Sequence, residues 1–174
     1  MSSGTIRRID ELGRIVIPKE IRRGMHINVG DEMEIARSGD TLEIKKHSRF
    51  EEQKEVVLAT AKLLARETGS KVLVVDLQKV VLDAGGDKKK YQGKVLAGSL
   101  AKAVSSRRAE VIHGDDLRGV FEDGDADCDY LVFEPIEACG DSFGGMALLL
   151  KTLPSDVARA YLAFCTKLIG AALA

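Results

Sequence analysis

The chain has 174 residues, 45% hydrophobic and 30% charged, with 26 basic and 27 acidic side chains that leave a net charge of −1. That length suits one ordinary domain or two small ones, and the apolar content supports a real core. No apolar run is long enough to span a bilayer and none follows the first basic residues as a secretory leader would, so a cytoplasmic protein is expected.

The near-neutral total hides an asymmetry. From Arg7 to Arg23 stand six basic residues, Arg7, Arg8, Arg14, Lys19, Arg22 and Arg23, against three acidic ones, Asp10, Glu11 and Glu20. The arginines alternate with short β-branched runs, so they should project from a small folded unit. Fixed guanidinium groups suit phosphates and base edges, because a planar fork of donors grips two acceptors at once. The plain alternative is a solvated basic face without a partner.

Residues 5–9 and 14–17 read as short strands joined by Asp10-Glu11-Leu12-Gly13, where Gly13 can take a positive φ. Pro18 suits the first position of a short helix over Lys19 to Met25. Asn28-Val29-Gly30-Asp31 reads as a turn, and Glu32 to Arg37 with Thr41 to Lys46 as a hairpin around Ser38-Gly39-Asp40. A unit this small buries little surface alone and needs a partner, a metal or disulfides.

The run Asp10-Glu11-Leu12-Gly13-Arg14-Ile15-Val16-Ile17-Pro18, followed by Glu20-Ile21-Arg22-Arg23, resembles the signature of AbrB/SpoVT-type swapped-hairpin DNA-binding domains over residues 4 to 47. The resemblance implies an intertwined β-barrel dimer that sets two copies of the basic segment across double-stranded DNA. It carries DNA contacts over to Arg7, Arg14, Arg22 and Arg23, with Arg8 and Lys19 as neighbouring phosphate contacts. Gly24 departs from the larger residue usual after the arginine pair, and the short helix should fray or bend there.

Residues 48–69 read as a connecting helix with an apolar stripe of Phe50, Val57, Ala61 and Leu64, a second flank of Val56 and Leu63, and a stop at Gly69. Lys71 to Asp76 and Lys79 to Asp83 read as strands, Lys94 to Ser105 as a helix and Glu110 to His113 as a short strand. Gly85 to Lys90 reads as a loop with a charge run. Tyr130 to Glu137 and Gly144 to Lys151 are long apolar strands, and Pro154-Ser155-Asp156 starts a final helix apolar enough all round to demand burial. This order resembles a GAF-type sensor domain, and the whole chain is similar to SpoVT-like transcription regulators. The expected fold class is therefore α+β: residues 1–47 the DNA-binding domain, 48–69 the connecting helix, and 70–174 a GAF-like antiparallel sheet with flanking helices. The two apolar-flanked helices predict association of the GAF-like domains as well, giving a homotetramer.

Asp115, Asp116, Glu122, Asp123, Asp125, Asp127 and Asp129 read as an acidic loop with only Arg118 opposing them. Cys128 falls where an EF-hand loop needs glycine, so a mobile solvated loop is expected and no metal. The three cysteines, Cys128, Cys139 and Cys165, cannot all pair within one chain, and each reads as a buried reduced thiol. Some GAF-type proteins are thiol-dependent reductases, but no base stands near Cys139 in sequence and Asp141 beside it works against a thiolate. The expectation is a non-enzymatic, nucleoid-associated regulator without a cofactor. GAF-type domains commonly hold a small molecule between sheet and covering loops; the Phe121 to Tyr130 segment would sit in such a loop, and any ligand there is expected to be small and neutral or cationic. The alternatives are an antitoxin-type DNA-binding module with a protein partner and a GAF-type thiol-dependent enzyme.

Overall fold

The computed structural model describes residues 4–25, 27, 29–85 and 90–174. Asn28 of the expected turn and residues 86–89 of the expected charged loop lie outside them. The chain forms two compact units, the first running through Ser48 and the second from Arg49 to Ala174. Among the described residues, no helix is long and apolar enough to cross a membrane.

In the first unit, helix α1 (Lys19–Gly24) precedes strands β1 (Met33–Ser38) and β2 (Thr41–Lys46). The two strands pair antiparallel with Ser38 opposite Thr41, leaving a two-residue loop with Gly39 at φ 60°. That is the left-handed position such tight hairpins reserve for glycine. The expected strands 5–9 and 14–17 are not paired: both segments lack a ladder. Extended chain becomes strand only when a neighbour takes up its N–H and C=O groups, and the single chain offers none. Pro18 lies one residue before the helix, at φ −56° and ψ 148°, and its carbonyl accepts the N–H of Arg22 at 2.9 Å. The helix ends at Gly24, one residue short of the expected Met25. No described residue of this unit is buried.

The second unit is a three-layer sandwich. Helices α2 (Arg49–Glu52) and α3 (Lys54–Thr68) lead into β3 (Lys71–Val75) and β4 (Val80–Ala84); then follow α4 (Gly98–Ser106), β5 (Glu110–His113), a 3₁₀ turn (Gly114–Leu117), β6 (Tyr130–Ala138), β7 (Asp141–Leu150) and α5 (Asp156–Leu173). The five strands form one antiparallel sheet in the order β4-β3-β7-β6-β5. Alternate residues point to opposite faces. Val72, Val74, Val132, Ile136, Met146 and Leu148 face α3 and α5, while Leu73, Val75, Leu131, Phe133, Ala147 and Leu149 face α4 and the loops.

Several boundaries differ from the sequence reading, each for a local reason. The 48–69 helix breaks at Gln53 into α2 and α3, which pack in the second unit, and α3 stops at Gly69 in the left-handed conformation (φ 63°). Helix α4 begins at Gly98 rather than Lys94, because Val95 and Leu96 bridge to Lys79 and Phe121. Strand β7 begins at Asp141 because Cys139 and Gly140 close the β6–β7 hairpin in two residues, at φ 53° and 88°. The Ser155 hydroxyl accepts the N–H of Ala158 at 3.2 Å and caps α5.

Candidate nucleic-acid interface

The geometry of the basic segment is set by Asp10. Its carboxylate accepts the backbone N–H groups of Leu12 and Arg14 at 3.0 and 2.8 Å and pairs with the Arg14 Nε at 2.7 Å. The Asp10 N–H donates to the Arg14 carbonyl at 3.1 Å, and Gly13 at φ 77° completes the turn. The Arg14 N–H and then its guanidinium hold the Asp10 carboxyl below the usual carboxylate range. Arg14 therefore leaves the loop in a fixed direction.

Lys19, Arg22 and Arg23 ride on α1, at spacings of three and four that place them on neighbouring helical positions. Arg7 and Arg8 lie in the extended lead-in. All six cations are exposed except Arg22, which is half-buried. Of the six, Arg14 alone has a carboxylate partner among the described residues. Beside and between them stand Ile6, Ile9, Leu12, Ile15 and Val16, from 51% to 93% exposed.

The second unit corrects the reading of the acidic loop. Lysines remote in sequence oppose its carboxylates: Lys94 meets Asp123 at 2.7 Å, and Lys151 meets Asp127 at 2.7 Å with Lys90 at 3.9 Å. Hydrogen bonds from Lys94 and Lys151 hold the Asp123 and Asp127 carboxyls down, and Asp127 raises Lys151 in return. The loop is also pinned rather than mobile. The Asp125 carboxylate accepts the Gly119 N–H, the Tyr91 hydroxyl accepts the Asp127 N–H, and Val120, Phe121, Ala126 and Cys128 are buried. The rings of Phe121 and Tyr91 are fully buried and lie 5.4 Å apart beneath this loop. Among the described residues no group of three His, Cys, Asp or Glu side chains is placed to hold a metal ion.

Two of the three thiols are buried as expected, with burial pushing Cys128 up to about 11 and Cys165 upward as well. Cys139 is exposed instead, because the two-residue hairpin tip puts it in solvent. His113 pairs with Tyr130 at one end of β6 while Cys139 follows its other end, so the strand separates them by roughly 25 Å. No thiol–imidazole pair forms there.

Residues 6–52 match the family model described as antidote-toxin recognition MazE, bacterial antitoxin, and residues 52–164 match stage V sporulation protein T C-terminal, transcription factor. Stage V sporulation protein T of Bacillus subtilis (strain 168) is 34% identical over 153 residues, spanning 86% of this chain and 85% of that one. The chain belongs to the stage V sporulation protein T family. Transition state regulatory protein AbrB of the same organism is 31% identical over 85 residues, 44% of this chain and 88% of that protein. This places family membership across both units, with the AbrB likeness falling on less than half of the chain. Among solved structures, the GAF-B domain of DevS from Mycobacterium smegmatis matches with a TM-score of 0.52 at 13% identity, over 69% of this chain and 91% of that one. A type II free methionine-R-sulfoxide reductase from Thermoplasma acidophilum matches at 0.54 and 12%, over 72% and 95%. At such identities the likeness shows a GAF-like fold alone.

Proposed function

We propose that the chain is a DNA-binding transcriptional regulator of a sporulation or transition-state programme, acting on the chromosome in the cytoplasm. The observation that carries this reading is a first unit with exposed arginines and no buried residue among those described. Residues 4–48 cannot be stable in that form, since small domains without metals or disulfides need a partner surface. A second copy interleaving its hairpin supplies the missing ladder for residues 5–9 and 14–17 and covers Ile6, Ile9, Ile15 and Val16. Burying each such side chain contributes about 1.5–3 kcal/mol. The intertwined dimer then presents Arg7, Arg8, Arg14, Lys19, Arg22 and Arg23 twice to double-stranded DNA.

The second unit, with its linking helices, is an assembly domain in this reading. Val157, Tyr161, Phe164 and Leu168 recur at four, three and four along α5 and are 46% to 67% exposed, while Val56 and Leu63 on the adjacent α3 are 40% and 49% exposed. The expectation that these helices pack on two sides is met on the sheet side only. A second copy of the same face completes it and joins two DNA-reading dimers into a tetramer.

A gel-shift assay on random duplex pools with salt titration tests the DNA claim. Arg14→Ala, Arg22→Ala and Arg23→Ala are each expected to cost ~1–3 kcal/mol where they read a base edge, and affinity should fall steeply with salt. Unchanged affinity in all three variants refutes the assignment. The antitoxin model matching residues 6–52 favours a second reading, a DNA-binding module whose tail blocks a toxin. Against it, the residues beyond the match fold around their own sheet instead of forming a tail that orders on binding.

A further inference from the structure

We propose that Arg49 is a positioning residue for DNA reading: it fixes the direction in which the chain leaves the second unit, and so the separation at which two linked readers engage DNA. This rests on the reading above, in which α5 joins two DNA-binding dimers. Very little chain lies between the anchored parts of the two units. The His47 N–H donates to the Glu32 carbonyl at 2.9 Å, continuing the β1–β2 pairing by one residue. Phe50 is 7% exposed and belongs to the apolar layer that holds α3 and α5 on the sheet. Only Ser48 and Arg49 stand between these two points. The chain from residue 47 to residue 50 reaches at most about 11 Å when fully extended.

Arg49 is held twice inside the second unit. Its Nη1 donates to the carbonyl of Leu173, 124 residues along the chain, at 3.0 Å, and its guanidinium carbon lies 5.3 Å from the centre of the Phe143 ring on β7. Leu173 is the last residue of α5, where carbonyls have no partner within the helix and the helix dipole favours a cation. A guanidinium suits both contacts at once, because its flat face covers a ring while its edge donates. Helix α2 is a single turn of four residues and has no stability of its own. Its direction is set by the buried Phe50 and by these two contacts of Arg49.

Helix α5 therefore has two roles. Its outer stripe is the face assigned above to a second copy, and its last carbonyl holds the residue at which the chain leaves the unit. A shift of α5 on assembly reaches that point through one hydrogen bond and one stacked ring.

The test uses the full chain and a duplex that the parent selects from random pools, carried twice on one DNA at separations stepped by single base pairs through one helical turn of about 10 base pairs. Parent affinity should peak at one separation, because linked readers gain only where both sites are reached together. In Arg49→Ala the profile should flatten and its peak should drop at least about tenfold, out of the ~10²–10⁴ that linkage contributes. Affinity for a single copy and the mass by light scattering should match the parent. A merely structural role would lower the melting temperature or the mass and leave the preferred separation in place. Arg49→Lys keeps a cation at the end of α5 without the planar stack, so it should fold as the parent does and flatten the profile in part. Glu51→Ala removes the exposed pair with Lys54 on the same stretch and should keep the parent profile. A peaked parent profile that both Arg49 variants reproduce overturns this proposal alone. Flattening by Glu51→Ala equal to that by Arg49→Ala overturns it too, since any disturbance of α2 would then suffice. A parent that is a dimer by light scattering and has no preferred separation overturns the four-chain assembly, and this proposal with it.

Discussion

Gly145 pairs with Val75 on one side and Pro135 on the other, at the centre of the sheet. A Cβ there would run into the Phe133 ring and the Glu134 carbonyl. Gly145→Ala should therefore cost ~1–3 kcal/mol by overpacking, read as a lower urea midpoint with an unchanged slope. One residue along β6, burial pushes the Glu134 carboxyl up, partly offset by the charges of Lys167 and Arg159. A carboxyl raised in the folded state favours folding while it is protonated and loses that contribution as pH rises through its folded value. Glu134→Gln should then be more stable than the parent at neutral pH, with the difference gone below about pH 4, where both states hold the proton. Urea midpoints at the two pH values check the sign.

At the scale of elements, α5 is the informative one. Its sheet side buries Leu162, Cys165, Ile169 and Leu173, and its other side leaves Phe164 and Leu168 in solvent. Phe164→Asp should leave the fold intact and reduce the proposed tetramer to a dimer, measured by light scattering; an unchanged mass removes the α5 face from the interface. The element pattern was largely legible in the sequence. Period-two runs gave β3, β4, β5 and β6, the Ser155 cap gave the start of α5, and Gly69 gave the end of α3. What escaped was set by partners distant in the chain. No local signal says that Lys94 and Lys151 meet the acidic loop, that Val95 is held by Lys79, or that Phe121 packs against Tyr91. In the candidate interface the cations and their spacing were plain. The lock between Asp10 and Arg14 is a matter of turn geometry, and the missing ladder of residues 5–9 and 14–17 depends on a pairing partner, neither of which one strand's pattern encodes.

For the whole molecule, the two units differ in what stabilises them. The second has two apolar layers around its sheet, whereas the first has no described buried residue. Melting of the first unit should therefore rise with protein concentration, as mass action requires of a fold that exists only in association. A hydrogen-exchange series at several dilutions checks this, with protection around Ile35 and Ile44 expected to fade first; protection independent of dilution would contradict the interleaved dimer. The bare outer stripe of α5 extends the same dependence one level further. If folding of the reader requires two chains and side-by-side placement of readers requires four, occupancy of an operator climbs faster than in proportion to the number of molecules in the cell. Such a protein converts a gradual rise in its own synthesis into a threshold, and a modest fall in synthesis into silence.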